Sequence, residues 1–271
     1  MIRYISYAIG LGFVVVLLLS LFGSISGMIS EPAAATAQEE FYLHPKAVEL
    51  ASNGVMGKFD RAQLQRGFQV YKEVCSACHS MGQIAFRDLR KIGYTEAEVK
   101  KIAADWGTQQ SSQDPKSGDR SDRPNTPADR FPTVYYPGQG NPPDLSLITK
   151  ARHDGAAYVY SLLTGYVEQP AELVKKFPDS KTPDGTYYNP YFPNLNLAMP
   201  APLSDGSVTY ADGSKNDMKH LAMDVSAFLV WTAEPELEER HSLGFAVLGF
   251  LIIGTALAYG SYRTIWRNVK H

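Results

Sequence analysis

Two uncharged apolar runs stand at opposite ends of the chain, residues 5–29 and 242–262, and between them apolar residues recur only in short stretches at helical spacing. Each run has about the ~20 residues a helix needs to cross the hydrocarbon core of a bilayer. Glu234, Glu236, Glu238 and Glu239 precede the C-terminal run, whereas Arg263, Arg267 and Lys270 follow it, with Tyr262 and Trp266 at its edge. Positive charge collects on the cytoplasmic side of a membrane helix, so the C-terminus is expected in the cytoplasm and the central domain outside. The N-terminal run follows Arg3 and is trailed by Ala35-Thr36-Ala37, an A-x-A pattern of the kind a signal peptidase cuts. Its length favours a retained anchor and the tripeptide favours a cleaved signal; both predict export.

In the central domain, Asp60 can cap a helix whose Leu64, Phe68 and Tyr71 recur at i, i+4 and i+7 and lead into Cys75. A second helix over 95–104 opens on Thr95-Glu96-Ala97-Glu98, a capping-box pattern. Residues 107–137 read as a solvated loop in which Asp114, Asp119, Asp122 and Asp129 mix with Lys116, Arg120, Arg123 and Arg130, without apolar periodicity. Further helices are predicted over 151–165 and 216–232, the latter with Leu221, Val225, Phe228 and Trp231 along one face and Pro235 beyond its end. No internal repeat is present, and the strand alternation of a sheet-dominated fold is missing. The expected class is mainly α with long irregular loops, an N-terminal apolar helix and a C-terminal transmembrane helix. Its expected divisions are a signal or anchor at 1–30, a domain at 31–240, a transmembrane helix at 241–263 and a cytoplasmic tail at 264–271.

A net charge of −2 over 271 residues makes no case for nucleic-acid binding. The chemistry lies in Cys75-Ser76-Ala77-Cys78-His79, which holds the only two cysteines of the chain. A structural disulfide elsewhere is thereby excluded, and a four-cysteine zinc site or iron–sulfur cluster lacks ligands. A thioredoxin-like redox pair needs a βαβ context, and the adjoining His79 is what a c-type haem attachment site adds. The two thiols then add to the haem vinyl groups and His79 becomes the proximal iron ligand. Export suits this covalent attachment and places the domain at the outer face of a bacterial inner membrane. Small cytochrome c domains pack their first and last helices across each other, and Phe68 and Tyr71 on one, with Phe228 and Trp231 on the other, suit such a core.

The sixth ligand decides between electron transfer and ligand chemistry, because methionine opposite histidine closes the iron and raises its potential. Met81 is too near His79 to reach the other haem face, and Met218 and Met223 sit at helical spacing that suits core packing. Met199 lies in the Pro-bearing loop Leu197-Ala198-Met199-Pro200-Ala201-Pro202-Leu203, well downstream of the haem motif, and is the favoured ligand. His153 and His220 are the histidine alternatives, each also explicable as a surface or helix-face residue.

Several separated blocks, in order from Asp60 through the C-terminal run, carry a family resemblance. They include Gln65-Arg66-Gly67-Phe68-Gln69-Val70-Tyr71, Pro142-Pro143-Asp144-Leu145-Ser146, and Ala151-Arg152-His153 continuing to Leu162-Leu163-Thr164-Gly165-Tyr166. Tyr188-Asn189-Pro190-Tyr191-Phe192, the Met199 loop, Asp224-Val225-Ser226-Ala227-Phe228-Leu229 and Ala233-Glu234-Pro235 complete the set. The chain resembles the cytochrome c1 family, the haem subunit of the ubiquinol:cytochrome c oxidoreductase (bc1) complex, in a bacterial version.

The resemblance implies one covalent haem c with His79 and Met199 on the iron, and Arg152 and Tyr158 on the haem propionates. It implies single-electron relay from a Rieske iron–sulfur protein to a soluble or tethered cytochrome c, without bond chemistry on this chain. Cytochrome b and membrane lipid are the implied neighbours, in a dimeric complex. The other reading is a membrane-anchored monohaem cytochrome of a terminal oxidase, or a tethered carrier. A haem sensor or peroxidase would instead require an open sixth position. Two departures from the family stand out: residues 135–141 are shorter than usual, and the loop after Trp106 is less acidic than in many relatives.

Overall fold

A computed structural model of the chain describes residues 2–30, 35–113 and 117–269. Asp114 and Lys116 of the charged loop and Lys270 of the basic tail lie outside the described residues. In chain order the helices are α1 (Ile2–Ser30), α2 (Ala37–Phe41), α3 (Arg61–Glu73), α4 (Glu96–Ala104), α5 (Ile148–Ala151), α6 (Gly155–Leu163), α7 (Ala171–Lys176), α8 (Met218–Ala233) and α9 (Leu237–Trp266). Two small antiparallel ladders accompany them: β1 (Gln110–Gln113) with β2 (Arg120–Arg123), and β3 (Tyr187–Tyr188) with β4 (Asn196–Leu197). The fold is mainly helical, as the sequence predicts.

The helix starts follow from their caps. Asp60 Oδ1 accepts the Ala62 and Gln63 N–H groups at 3.0 and 3.2 Å, satisfying two of the free donors that open α3. At α4 the Glu98 carboxylate accepts the Thr95 N–H at 2.7 Å while Thr95 Oγ1 accepts the Glu98 N–H at 3.3 Å, the reciprocal capping box. Asp217 does the same work for α8, accepting from Lys219 and His220. The single helix expected over 151–165 is instead α5 and α6, because Arg152 is extended and Asp154 takes φ 62°, the left-handed region that a short Asp tolerates. Residues 107–137 also differ from expectation. They contain the β1–β2 hairpin, whose polar strands lack the apolar alternation that reveals a strand in sequence, and Arg123 ties it to Asp129 through two bonds of 2.7 Å.

The core is built where α3 crosses α8. Gly67 is the contact point: a Cβ there would lie 2.1 Å from the Asp224 carbonyl oxygen and 2.6 Å from the Phe228 Cβ. Glycine costs a helix interior about 1 kcal/mol relative to alanine, so the close approach is what explains it here. Around the crossing, Arg66 Nε donates to Asp224 at 2.9 Å and Gln63 at 3.1 Å. Phe68, Tyr71, Phe86, Trp106, Phe131, Phe228 and Trp231 fill the interior with rings at edge-on and offset separations, the closest pair being Phe86 and Phe131 at 4.2 Å. A second cluster joins Ala37 of α2 to Leu173, Tyr188 and Leu195. The Ala35-Thr36-Ala37 tripeptide therefore sits at a capped helix start, with Ala37 packed inside.

Helices α1 and α9 are each long and apolar enough to cross a membrane by length and composition. No residue of α1 is buried, and in α9 only Leu237 is.

Replacing Gly67 with alanine gains intrinsic helix propensity but forces the two helix backbones apart. We expect a net loss of about 1–3 kcal/mol, the usual cost of overpacking. Thermal unfolding of the full chain should then show a fall of about 2–4 °C per kcal/mol for a domain of this size.

Candidate functional site

The haem motif follows α3 without an intervening loop. After Val74 the chain tightens into a 3₁₀ turn, Cys75–Ala77, in which the Cys75 carbonyl accepts the Cys78 and His79 N–H groups at 3.1 and 2.9 Å. Both cysteines are unbridged and partly buried, and Cys75 packs against the core. Burial pushes the Cys75 thiol up to about 12, the reverse of the lowered value of a redox-active thiolate. This is a helix-to-turn setting with no βαβ unit, which removes the thioredoxin-like alternative.

His79 is oriented from two sides. Its Nδ1 lies 2.8 Å from the Pro143 carbonyl oxygen. A carbonyl only accepts, so Nδ1 carries the proton and Nε2 keeps its lone pair for a metal. Burial draws the imidazole below the usual histidine range, opposed by the Pro143 bond and by Asp144, and this favours the neutral, coordinating form. Behind it, the buried Tyr71 hydroxyl donates to the His79 carbonyl at 3.1 Å.

A hydrogen-bonded seam holds Pro143 in position. Asp144 accepts the Gly82 N–H at 2.7 Å and the Ser146 N–H at 2.8 Å, and Leu145 N–H donates to the Ser80 carbonyl at 2.9 Å. Ser146 Oγ accepts from Gln83 at 3.0 Å, and Ser80 Oγ from Val134 at 2.8 Å. The segment following the haem motif is thus laced to the Pro142–Ser146 block some sixty residues further along. Gly82, Pro143, Asp144 and Arg152 line one side of an open cleft of about 410 Å³.

Met199 is half-buried and packs against the main core, and its carbonyl accepts the Tyr166 hydroxyl at 3.0 Å. Tyr166 interacts with Tyr158, which burial raises above the usual tyrosine range against the nearby charge and hydrogen bond of Arg152. Tyr166 thus touches the Met199 loop directly, while Tyr158, which is buried, and Arg152, which is exposed, influence each other electrostatically. The short stretch 135–141 reaches the same loop: Gly140, at φ 89°, is placed so that a Cβ would lie 3.2 Å from the Ala198 methyl, while Asn141 is exposed.

His153 is exposed on the α5–α6 turn, and His220 is exposed with Nδ1 bonded to Asp217 at 2.6 Å. Met81 is fully buried in the core, and Met218 and Met223 pack against it as helix residues. Among the described residues, no group of three or more His, Cys, Asp or Glu converges on a point that could hold a bare metal ion. Two unbridged thiols beside one oriented imidazole suit a metal that brings its own macrocycle, as a covalently attached haem does.

Residues 50–269 match the Cytochrome C1 family. The chain belongs to the cytochrome c1 family. It is 40% identical over 263 residues to "Cytochrome c1" of Rhodospirillum rubrum, covering 91% of this chain and 96% of that protein. It is 44% identical over 238 residues to "Cytochrome b/c1" of Bradyrhizobium diazoefficiens; here 79% of this chain is covered, and it spans only 34% of that longer protein. "Cytochrome c1-2, heme protein, mitochondrial" of Solanum tuberosum is 39% identical over 257 residues, covering 91% of this chain and 95% of that protein.

Within this family member, the seam residues Tyr71, Ser80, Asp144 and Ser146 carry positioning roles that sequence reasoning did not assign. Tyr71 reads as an ordinary core aromatic, and Asp144 and Ser146 only as parts of a recognised block. Replacing Asp144 with alanine leaves the Gly82 and Ser146 N–H groups without their acceptor. The expected cost is about 1–3 kcal/mol, the range for leaving a donor unsatisfied. Thermal unfolding of the full chain measures it, and Asp144→Asn, which keeps one acceptor oxygen, should lose less.

Proposed function

We propose that this chain is the cytochrome c1 subunit of a bacterial bc1 complex, taking single electrons from a Rieske iron–sulfur protein and passing them to a cytochrome c. When bound, the haem c supplies the one-electron iron couple. The observation that carries the reading is the single direction left open at His79: Nδ1 is committed to the Pro143 carbonyl, so Nε2 is free for iron beside two unbridged thiols.

Each residue then has a task set by its chemistry. Cys75 and Cys78 tether the haem by thioether bonds. His79 would ligate the iron through Nε2, and its bond to the Pro143 carbonyl would strengthen it as a donor and hold the ring against rotation. Met199 would supply the second protein ligand to the iron, which would exclude exogenous ligands and favour the ferrous state, giving a relay rather than a ligand-binding centre. Arg152 and Tyr158 supply a guanidinium fork and a hydroxyl for the propionates. The rigid seam and aromatic core keep these donors in place through both oxidation states. Catalysis belongs to the assembled quinol:cytochrome c oxidoreductase, and the isolated chain turns over no substrate of its own.

Residues 31–240 form the haem domain in this reading, on the periplasmic side of the inner membrane, with 241–263 crossing it and 264–271 in the cytoplasm. The acidic residues around the start of α9 and the basic ones around its end support that orientation. The region 1–30 serves as anchor or signal. The name "Cytochrome b/c1" of the Bradyrhizobium relative supports cytochrome b as a neighbour. A dimeric complex in contact with membrane lipid completes the assignment.

Mild-detergent purification through the C-terminus tests it, read by optical difference spectra for b and c haems and by low-temperature EPR for a Rieske cluster. Recovery of b haems, the Rieske signal and one c haem is expected. Recovery with a copper-containing oxidase, or as a solitary cytochrome, would overturn the assignment.

A further inference from the structure

The passage from the haem domain to the membrane is a hinge of three residues. Helix α8 ends at Ala233 and α9 begins at Leu237, with Glu234, Pro235 and Glu236 between them. Beyond Leu237, α9 buries no residue against the domain. In a joint this short, Leu237 is the one fully buried apolar side chain at the start of α9, with Pro235 half-buried beside it.

What surrounds the joint is charge. Glu234 accepts from Lys150 of α5 at 3.2 Å and from Arg240 of α9. Glu236 pairs with Lys91, in the 3₁₀ segment Phe86–Ile92. Glu238 takes both Arg61 nitrogens, at 3.1 and 2.7 Å, and the Phe59 N–H at 2.7 Å. The three carboxylates thus reach three separate elements of the domain. Two of these elements lead straight to the haem site: α3 runs from Arg61 to the cysteine motif, and α5, which holds Lys150, ends at Ala151 next to Arg152. All three carboxylates are held below the usual glutamate range: Glu236 by Lys91, Glu238 by Arg61, and Glu234 by Lys150 and Arg240 against the opposing effect of burial.

We propose that Glu234, Glu236 and Glu238 form an ionic collar that fixes the tilt of the haem domain on its membrane helix, and so the angle of the haem to the membrane plane. The proposal rests on the haem reading above and adds a positioning role to residues remote from the iron. Isolated exposed ion pairs contribute little to stability, but pairs that converge on one hinge from several directions restrict rotation about every axis, which no single pair does. A relay fed by a membrane-bound donor gains from this, since the haem edge is then presented at one height and one angle.

The test is EPR of the full haem-loaded chain in oriented multilayers of phosphatidylcholine and phosphatidylglycerol, following the low-spin ferric signal as the layers are rotated. The unmodified chain should show a strong angular dependence. The variant carrying Glu236→Gln and Glu238→Gln should lose it while keeping the same g values. Glu236→Lys alone should also lose it by facing Lys91, and adding Lys91→Glu should restore it, a rescue that a general folding defect would not show. Angular order that survives the double glutamine variant, or that is absent from the unmodified chain, would overturn the collar. Absence of any low-spin signal from the unmodified chain would overturn the haem reading and the collar with it.

Discussion

At Gly67 the backbone of α3 lies against the Asp224 carbonyl of α8, closer than any side chain would allow. This approach sets where α3 ends, and α3 ends at the cysteine motif. The buried pairing of Arg66 with Asp224 fixes the rotation of the two helices, because separating them would leave Asp224 inside the protein without its partner. Tyr71, one turn beyond Gly67, then places its hydroxyl on the His79 carbonyl. The orientation of the imidazole thus descends from the helix crossing, through one aromatic side chain, and is completed by the seam to Pro143.

The parts of the fold that were legible in sequence are those governed by local chemistry. The caps at Asp60 and Thr95 place the starts of α3 and α4 to the residue, and the faces bearing Phe68 and Phe228 identify the two helices that cross. The two apolar runs needed only length and absence of charge. Elements that depend on distant partners were not visible. The turn between α5 and α6 comes from one left-handed aspartate, and the β1–β2 hairpin from a polar ladder held by Arg123 and Asp129. Helices α2 and α7 are too short to show a period and exist as part of the Ala37–Leu173 cluster.

The candidate site divides in the same way. Cys75, Cys78 and His79 form a contiguous motif and can be read directly, and the loop setting of Met199 singles it out among the methionines. The supports are different, since their roles exist only once residues 79–83 meet residues 143–146. Nothing in the local sequence of Asp144 or Ser80 announces a partner some sixty positions away. Membership of the cytochrome c1 family makes the ordered blocks intelligible, and the seam gives a physical reason for one of them: the Pro142–Ser146 block supplies the carbonyl that orients the histidine. The proposed relay accordingly asks little motion of the protein, whose donors are held by a packed aromatic core on one side and a laced loop on the other.

The central claim is that His79 and Met199 would both ligate the haem iron, so that the chain moves electrons and not ligands. Carbon monoxide tests this most directly, because it binds ferrous haem wherever a coordination position is open or labile. The measurement is the optical difference spectrum of the reduced full chain with and without carbon monoxide, beside that of Met199→Leu. The account predicts no change for the unmodified chain and stoichiometric binding for the variant. Rapid stoichiometric binding by the unmodified chain, or a variant that stays closed, would contradict it.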